Sequence, residues 1–212
     1  LKDLLNNINK IEKNHKISSL IYKYIPTMID VWQFSSQPKI LKILKELEIP
    51  NPTFSTVPCM RIDRPNENYF ATPWHQDYWY SFASDKSITI WFPLIHVTKK
   101  MGRLFVIPES HNKGLLSFQN TTNSNDPFVL SHKANYLKTK EKEVNVPYGS
   151  ILIFNQYLLH RSGLNKSNKC RISMQLRYNS LDKGTAILSS FEAKSTKHVY
   201  DKQKKILNMK IK

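Results

Sequence analysis

The hydrophobic period of the chain changes at Pro52, and this change constrains the fold more than any other feature. Before it, apolar residues recur every three or four positions with lysines between them, which is the spacing of amphipathic helices. After it, short β-branched and aromatic runs are separated by Pro, Gly and polar turns, a pattern typical of strands. The sequence therefore predicts a mainly β fold, a two-sheet sandwich or jelly roll, behind an N-terminal helical layer.

The elements can be placed in outline. One helix is predicted over residues 1–24, and a second begins at Pro38, which a first helical turn tolerates, and stops before Pro50. The predicted strands are Phe54–Ile62, Ser87–Val97, Leu104–Ile107, Glu143–Val146, Ile151–Phe154 and Arg171–Tyr178. The chain has no internal repeat and no linker. We expect one domain over residues 1–212, with a helical layer at 1–50, a β core at 51–180 and a basic tail at 181–212.

The charge balance is strongly basic, because 32 Lys and Arg oppose 16 Asp and Glu for a net charge of +16. One interpretation is a polyanion partner such as RNA or an anionic membrane. The other is a bias of composition, since the lysines are scattered and accompany many Asn and Ile residues. Net charge alone gives weak support to a nucleic-acid partner, and we do not expect one.

Two other features bear on the environment of the protein. Cys59 and Cys170 are its two cysteines, far fewer than a disulfide scaffold uses. No apolar run reaches the ~18 residues of a membrane span, and the start of the sequence lacks the layout of a signal peptide. The sequence predicts a reduced, cytoplasmic protein.

The informative chemistry lies in the segment Thr72–Trp79. His75 and Asp77 are two residues apart, so on an extended chain their side chains point to the same side. His160 comes much later, after the apolar run Ile151–Phe154. Two histidines and a carboxylate on one face, with three open positions, form the facial triad of non-haem Fe(II) oxygenases. By itself a His-x-Asp pair is a weak signal, because a capped turn or a surface ion pair gives the same spacing.

Residues beyond His160 strengthen the iron hypothesis. Arg171 begins a predicted strand, and Ser173 lies on the same face of that strand. A guanidinium fork donates two parallel hydrogen bonds to a carboxylate, and a nearby hydroxyl can donate a third. Metal ligands together with such a pair would hold a dicarboxylic keto acid at both ends.

These residues belong to a set of linked motifs, namely Trp74–Asp77, Gly102–His111, Gly149–Phe154, His160–Asn165 and Arg171. In their order and spacing the motifs resemble the phytanoyl-CoA dioxygenase family of Fe(II)/2-oxoglutarate-dependent oxygenases, from about Phe54 to Tyr178. The resemblance implies a double-stranded β-helix, which is a kind of jelly roll. It also implies hydroxylation of a small organic substrate with O2, and release of succinate and CO2.

The resemblance assigns roles to individual residues. It makes His75, Asp77 and His160 the catalytic iron ligands. It makes Arg171 the partner of the far carboxylate of 2-oxoglutarate, with Ser162 and Ser173 as helpers.

Two details of these motifs carry further expectations. Related iron halogenases replace the ligand carboxylate with a small residue, so the presence of Asp77 favours hydroxylation. Glu109 stands where the family usually has a glycine, which predicts a variant of that turn.

Five more side chains are candidates for the substrate side, namely Arg61, Tyr78, Trp79, Tyr80 and Arg103. The aromatic side chains fit a pocket mouth and fit core packing about equally well. Arg61 and Arg103 could meet an anionic group on the substrate, or could pair with acidic residues at the rim.

The long polar stretch Gly114–Lys140 has no clear periodicity. We expect a lid over the site there, the alternative being a surface excursion without catalytic contact. For the whole protein, the alternative to an oxygenase is a non-catalytic binding module of the same β architecture, with RNA or an anionic membrane as its partner.

Overall fold

The computed structural model describes residues 24–67, 71–81, 84, 86–119, 129–130 and 140–180. Within these ranges the chain forms three α-helices, which are α1 (Ile29–Ser35), α2 (Pro38–Glu46) and α3 (Tyr78–Ser81). Its strands are β1 (Pro52–Phe54), β2 (Cys59–Asp63), β3 (Ile88–Pro93), β4 (Leu104–Val106), β5 (Phe118–Gln119), β6 (Val129–Leu130), β7 (Lys142–Val144), β8 (Leu152–Asn155), β9 (His160–Ser162) and β10 (Arg171–Ser180). The first predicted helix, most of the predicted lid and the basic tail lie outside the described residues.

The described strands form a five-stranded sheet, a three-stranded sheet and the short pair β5–β6, all antiparallel. The larger sheet has the order β1-β10-β3-β8, and β2 also pairs with β10. Strand β10 therefore has β3 along one edge, and β2 and β1 along the other. The smaller sheet has the order β7-β4-β9. This two-sheet architecture is the double-stranded β-helix that the sequence predicts.

One face of the larger sheet carries the main hydrophobic core. Alternate residues of β10 are apolar and buried, and they pack with the buried sides of α1 and α2. The core side chains contributed by these elements are Val31, Ile40, Leu44, Ile172, Met174, Leu176 and Tyr178. The Tyr178 hydroxyl donates to the Ser35 carbonyl oxygen at 2.8 Å, which ties α1 to the sheet.

The other face of the larger sheet looks toward the smaller sheet. A second apolar cluster joins Trp91 and Phe154 of the larger sheet to Leu104 of the smaller one. Because side chains alternate along strands and cross-strand partners share a face, β10 presents a polar row to this interior. The row consists of Arg171, Ser173, Gln175, Arg177 and Asn179. This row of polar side chains is therefore enclosed between the two sheets.

A close backbone approach fixes the smaller sheet. Gly102 has φ of 77°, and a side chain there would place its Cβ 2.4 Å from the Gly163 carbonyl oxygen. Only glycine fits such a contact. The approach sets β4 against β9 in the register that pairs Leu104 with Ser162.

The sequence places most of these elements correctly. The second helix is confirmed at Pro38–Glu46. The predicted strand Phe54–Ile62 is wrong as one element, because the chain bends after Phe54 and the strand resumes at Cys59. The periodicity also misses α1 and β9, which are too short to show a period of their own.

Two expectations about the environment can be compared with the structure. No helix in the described part of the chain is long and apolar enough to cross a membrane. Cys59 and Cys170 are both free thiols.

Candidate metal centre

Two histidines and one aspartate converge between the sheets. Asp77 Oδ1 lies 3.5 Å from His75 Nε2 and 3.7 Å from His160 Nε2. The three ligand atoms lie within 4.8 Å of one another, and all three residues are buried. Reciprocal backbone hydrogen bonds of 3.1 and 3.2 Å between His75 and His160 hold the two segments side by side. Two imidazole nitrogens and one carboxylate oxygen on a shared face are the donor set of a non-haem iron site.

The backbone determines which ring nitrogen of each histidine faces this group. His75 Nδ1 lies 2.7 Å from the Pro73 carbonyl oxygen, and His160 Nδ1 lies 3.0 Å from the Leu158 carbonyl oxygen. A carbonyl oxygen can only accept, so each Nδ1 donates, and a neutral ring then keeps its lone pair on Nε2. Both rings are therefore oriented to ligate a metal through Nε2.

The protonation states also suit metal binding. Burial, with a contribution from His75, lowers the pKa of His160 to about 3, so the ring is neutral at physiological pH. Burial alone would raise the pKa of Asp77, but the positive charge of Arg177 outweighs it and holds that pKa well below its ordinary value. The group thus offers a neutral imidazole and an ionised carboxylate without the removal of a proton.

Two side chains of the larger sheet hydrogen-bond the Asp77 carboxylate, one to each oxygen. Thr89 Oγ1 donates to Oδ2 at 2.6 Å, and Arg177 Nη2 donates to Oδ1 at 2.8 Å. Thr89 and Arg177 are direct cross-strand partners on β3 and β10. Neither residue is among the sequence candidates.

A second polar cluster lies at the start of β10. Asp63 accepts from both nitrogens of one edge of Arg171, Nε at 3.0 Å and Nη2 at 2.7 Å, through Oδ2. Its other oxygen, Oδ1, accepts from Arg61 Nη2 at 3.0 Å. Burial would raise the pKa of Asp63, but the two arginines outweigh it and lower that pKa. Two guanidinium groups share one carboxylate, so the cluster carries a net positive charge inside the protein.

This cluster has donors to spare. Arg171 is 1% exposed and Ser173 is fully buried, yet Arg171 Nη1 and Ser173 Oγ have no hydrogen-bond partner among the described residues. A buried donor without a partner costs about 1–3 kcal/mol, so such atoms usually meet a ligand or water. A carboxylate fits here in both charge and hydrogen-bonding capacity.

A chain of contacts links the two clusters. Arg61 Nη1 donates to the Thr72 hydroxyl, and the Thr72 carbonyl oxygen accepts from the Ser162 amide at 3.0 Å. Ser162 is buried and shares the inner face of β9 with His160. The structure thus brings Arg61, Ser162, Ser173 and Arg171 into the interior that holds the three metal-ligand candidates.

The three aromatic candidates diverge because they lie on a helical turn, where successive side chains point about 100° apart. The Tyr80 ring lies edge-on to the His75 ring, with 5.5 Å between centroids. Tyr78 instead packs on Tyr157, and the buried Trp79 donates to the Leu116 carbonyl oxygen at 3.1 Å. The Tyr80 ring therefore lies against the metal-ligand group.

Arg103 is not brought to this group. It precedes Leu104, whose side chain faces the interior, so Arg103 points to the outer face of the smaller sheet. There its Nη1 lies 3.9 Å from Glu143 Oε2.

Sequence reasoning also missed Gln76, the residue between the two first ligands. Its amide donates to the Gly114 and Tyr157 carbonyl oxygens at 2.9 and 2.6 Å and accepts from the Leu116 amide at 2.8 Å. Gln76 therefore attaches the beginning of the predicted lid segment to the segment that carries His75 and Asp77. Its place inside the motif Trp74–Asp77 was a signal that could have found it.

Arg177 and Asp63 left a signal as well. Polar and apolar residues alternate along β10, so the face that carries Arg171 also carries Arg177 six residues later. Asp63 follows directly after the predicted strand Phe54–Ile62, and it lies two residues after Arg61. Strand alternation continued one residue past Ile62 and along all of β10 would have placed Arg61, Asp63, Arg171 and Arg177 in one interior.

A double-stranded β-helix with a buried group of two imidazoles and a carboxylate defines a class, the jelly-roll proteins built to hold one metal ion. Comparison of the chain with known protein families identifies the family within this class. The family model described as phytanoyl-CoA dioxygenase (PhyH) matches residues 34–173, and the chain belongs to that family. No curated protein sequence matches the chain significantly.

Three solved structures resemble the protein. They are the apo form of ThoJ, a non-heme monooxygenase; EctD from S. alaskensis with 2-oxoglutarate and 5-hydroxyectoine; and EvdO2 from Micromonospora carbonacea var. aurantiaca with 2-oxoglutarate. Their identities are 18%, 16% and 17%, with TM-scores of 0.55, 0.57 and 0.55. The alignments cover 71%, 72% and 74% of this chain but 55%, 52% and 63% of those chains, so this chain spans less than two thirds of each. The likeness establishes the shared fold.

Proposed function

We propose that the protein is an Fe(II)/2-oxoglutarate-dependent oxygenase that hydroxylates a small organic substrate and releases succinate and CO2. The observation that carries this proposal is the pairing of two features in one interior. One is the convergence of His75, Asp77 and His160 on a common point. The other is the buried pair Arg171 Nη1 and Ser173 Oγ, which have no partner among the described residues.

In this proposal the chain's own residues divide the work between two ends of the site. The three convergent side chains hold Fe(II). Arg171 and Ser173 donate to the far carboxylate of 2-oxoglutarate. Ser162 lies on β9 with His160, between the metal ligands and the Arg171 cluster. Iron and 2-oxoglutarate together would supply the activation of O2.

The protein prepares this site before either group binds. The backbone carbonyl oxygens of Pro73 and Leu158 fix both imidazole rings in the ligating orientation. Asp63 fixes the guanidinium of Arg171 by occupying one of its edges. Preorganised ligands and donors lower the entropic cost of binding and hold the reactants in place.

Hydroxylation is proposed over other outcomes because Asp77 supplies a carboxylate ligand. The substrate end of the site is the side of Tyr80, whose ring contacts His75. Arg61 is a candidate partner for an anionic substrate group, and it is the one of the two predicted arginines that lies in the interior. The other function considered, a non-catalytic polyanion-binding module, has no support from a family of dioxygenases.

The first test requires no knowledge of the substrate. Mn(II), which does not turn over with O2 in such sites, is titrated into the protein, and 2-oxoglutarate is then titrated into the loaded protein by calorimetry. We expect one metal per chain and binding of 2-oxoglutarate that depends on the metal. If the loaded protein binds no 2-oxoglutarate, the proposal fails.

The second test asks for chemistry. The Fe(II)-loaded protein is incubated with 2-oxoglutarate, O2 and panels of small molecules, and succinate is measured. A true substrate should raise succinate formation and should gain one oxygen atom by mass spectrometry. The variant Asp77→Ala is the matched control and should form no product.

A further inference from the structure

The metal-ligand candidate Asp77 is hydrogen-bonded by a residue that lies in none of the sequence motifs. Its Oδ1 faces both Nε2 atoms, while its Oδ2 accepts a 2.6 Å hydrogen bond from Thr89 Oγ1. Thr89 and Asp77 are both fully buried. A carboxylate oxygen accepts hydrogen bonds, so the Thr89 hydroxyl is the donor in this contact.

A carboxylate on one rotatable bond can present either oxygen, or both, to a cation. Thr89 removes this freedom because it holds Oδ2 away from the point where the two imidazole nitrogens meet. We propose that Thr89 is a positioning residue for the metal: its hydrogen bond to Oδ2 fixes the orientation of the Asp77 carboxylate and leaves Oδ1 as the ligand atom. This inference rests on the proposed function and names a residue beyond the ligand set.

The position of Thr89 in the sheet explains how it can do this. It is the second residue of β3, a strand that pairs with both β10 and β8, and its cross-strand partners are Arg177 and Phe154. Asp77 itself lies on a turn that leads into α3. A side chain on an interior strand of a sheet is more rigid than one on a turn, so the sheet can impose its geometry on the ligand.

Arg177 completes the arrangement from the neighbouring strand. Its Nη2 donates to Oδ1 at 2.8 Å, and the same nitrogen donates to Gln175 Oε1 at 2.5 Å. Arg177 therefore balances the negative charge of Asp77, while Thr89 fixes the orientation of its carboxylate. The two donors occupy different oxygens, so their roles can be separated by substitution.

The experiment compares Mn(II) affinity in Thr89→Val, Thr89→Ser and the parent. Valine keeps the shape and removes the hydroxyl, whereas serine keeps the donor. We expect the Mn(II) dissociation constant to rise about 10- to 100-fold in Thr89→Val, the usual effect of losing such a supporting contact. In Thr89→Ser it should stay close to the parent value. Thr98→Val, on an exposed residue, is the matched control and should leave the affinity unchanged.

Two further measurements separate positioning from general damage. The affinity of the Mn(II)-saturated protein for 2-oxoglutarate should change little in Thr89→Val, because the Arg171 end is untouched. The unfolding transition of the metal-free variant should remain cooperative and close to that of the parent. Parent-like Mn(II) affinity in Thr89→Val would overturn the inference, and so would a loss in Thr89→Val that serine does not rescue. A parent protein that binds no Mn(II) would instead refute the proposed function.

Discussion

Arg171 donates to a single oxygen of Asp63 through both Nε and Nη2, at 3.0 and 2.7 Å. The bond pattern leaves Nη1 as the one guanidinium nitrogen without a partner among the described residues. An arginine held in this way cannot rotate to follow a ligand, so the ligand must come to a fixed donor. This relationship makes the two residues separable by experiment: Arg171 would touch 2-oxoglutarate, and Asp63 would only hold Arg171.

The substitution Arg171→Lys should weaken 2-oxoglutarate binding and leave metal binding intact. Lysine keeps the charge but loses the planar fork and its fixed second donor. Losing one charge-assisted hydrogen bond predicts a rise of about 10- to 100-fold in the apparent KM for 2-oxoglutarate. Calorimetry on the Mn(II)-loaded protein measures the same change without turnover.

The matched control is Arg161→Lys. The Arg161 guanidinium lies over the Phe105 ring on the outer face of the smaller sheet and pairs with Glu141. We expect its replacement to leave the 2-oxoglutarate affinity unchanged. Equal affinity in Arg171→Lys and the parent would refute the role assigned to Arg171.

Asp63 predicts a pH dependence of stability. Its pKa is lowered in the folded protein by Arg61 and Arg171, so its contribution to stability is complete above the unfolded pKa of about 3.9. The contribution is lost as the pH falls through the lower folded pKa. The variant Asp63→Asn lacks it at every pH and should be less stable by about 3–5 kcal/mol at neutral pH, because two buried guanidinium groups lose their carboxylate.

Urea unfolding of the parent and Asp63→Asn at a series of pH values measures this directly. The difference between their free energies of unfolding should be constant above about pH 4 and should shrink in stronger acid. A difference that stays constant down to the lowest pH at which both proteins fold would contradict the assignment.

The parts of the site that residue spacing alone predicts are those whose geometry is local. His75 and Asp77 are two residues apart, and Arg171 and Ser173 alternate on one strand, so their common faces follow from backbone period alone. The Tyr78–Tyr80 run shows the limit of such reasoning. Three successive aromatic residues look equivalent in a sequence, but a single helical turn points them in different directions, with the Tyr80 ring against His75.

The contacts that the sequence does not predict join residues far apart along the chain. Thr89 meets Asp77 twelve positions away and Arg177 meets it one hundred away, each from a different strand. Their meeting depends on the register of β3 with β10, which is set by the packing of the sheet against α1 and α2. Arg103 failed as an interior candidate for the same reason, because register put Leu104 inside.

Arg177 should act as the charge partner of Asp77 when no metal is bound. In Arg177→Met the buried carboxylate loses that partner, and we expect the metal-free protein to lose about 3–5 kcal/mol of stability. A bound divalent cation supplies the missing positive charge. Saturating Mn(II) should therefore raise the Tm of Arg177→Met by more than it raises that of the parent.

Thermal unfolding with and without Mn(II) checks this prediction. Arg161→Met removes a guanidinium on the outer face and should show the same Mn(II) increment as the parent. If Arg177→Met and the parent gain equally from Mn(II), then Arg177 does not compensate Asp77 in the metal-free protein.

The backbone conformation of Glu109 explains why the family usually has a glycine at this position. Its backbone has φ of 61° and ψ of 2°, in the left-handed region, just before the helical turn that contains the buried Ser110. The Ser110 hydroxyl accepts from the Leu159 amide at 2.8 Å, so this turn is attached to the residue before His160 and cannot easily relax. A non-glycine residue in this conformation costs about 1–2 kcal/mol.

The substitution Glu109→Gly should therefore stabilise the protein. Glycine removes the cost of the left-handed conformation. It also increases the entropy of the unfolded chain, which lowers the free energy of unfolding by about 0.5–1 kcal/mol, so the expected net increase in that free energy is about 0.5–1 kcal/mol. Glu109→Ala is the matched control, since it removes the exposed carboxylate and keeps the Cβ. Alanine should bring no gain in the free energy of unfolding measured in urea. A gain of equal size in both variants would assign the effect to the lost charge, and no gain with glycine would show that the turn carries no strain.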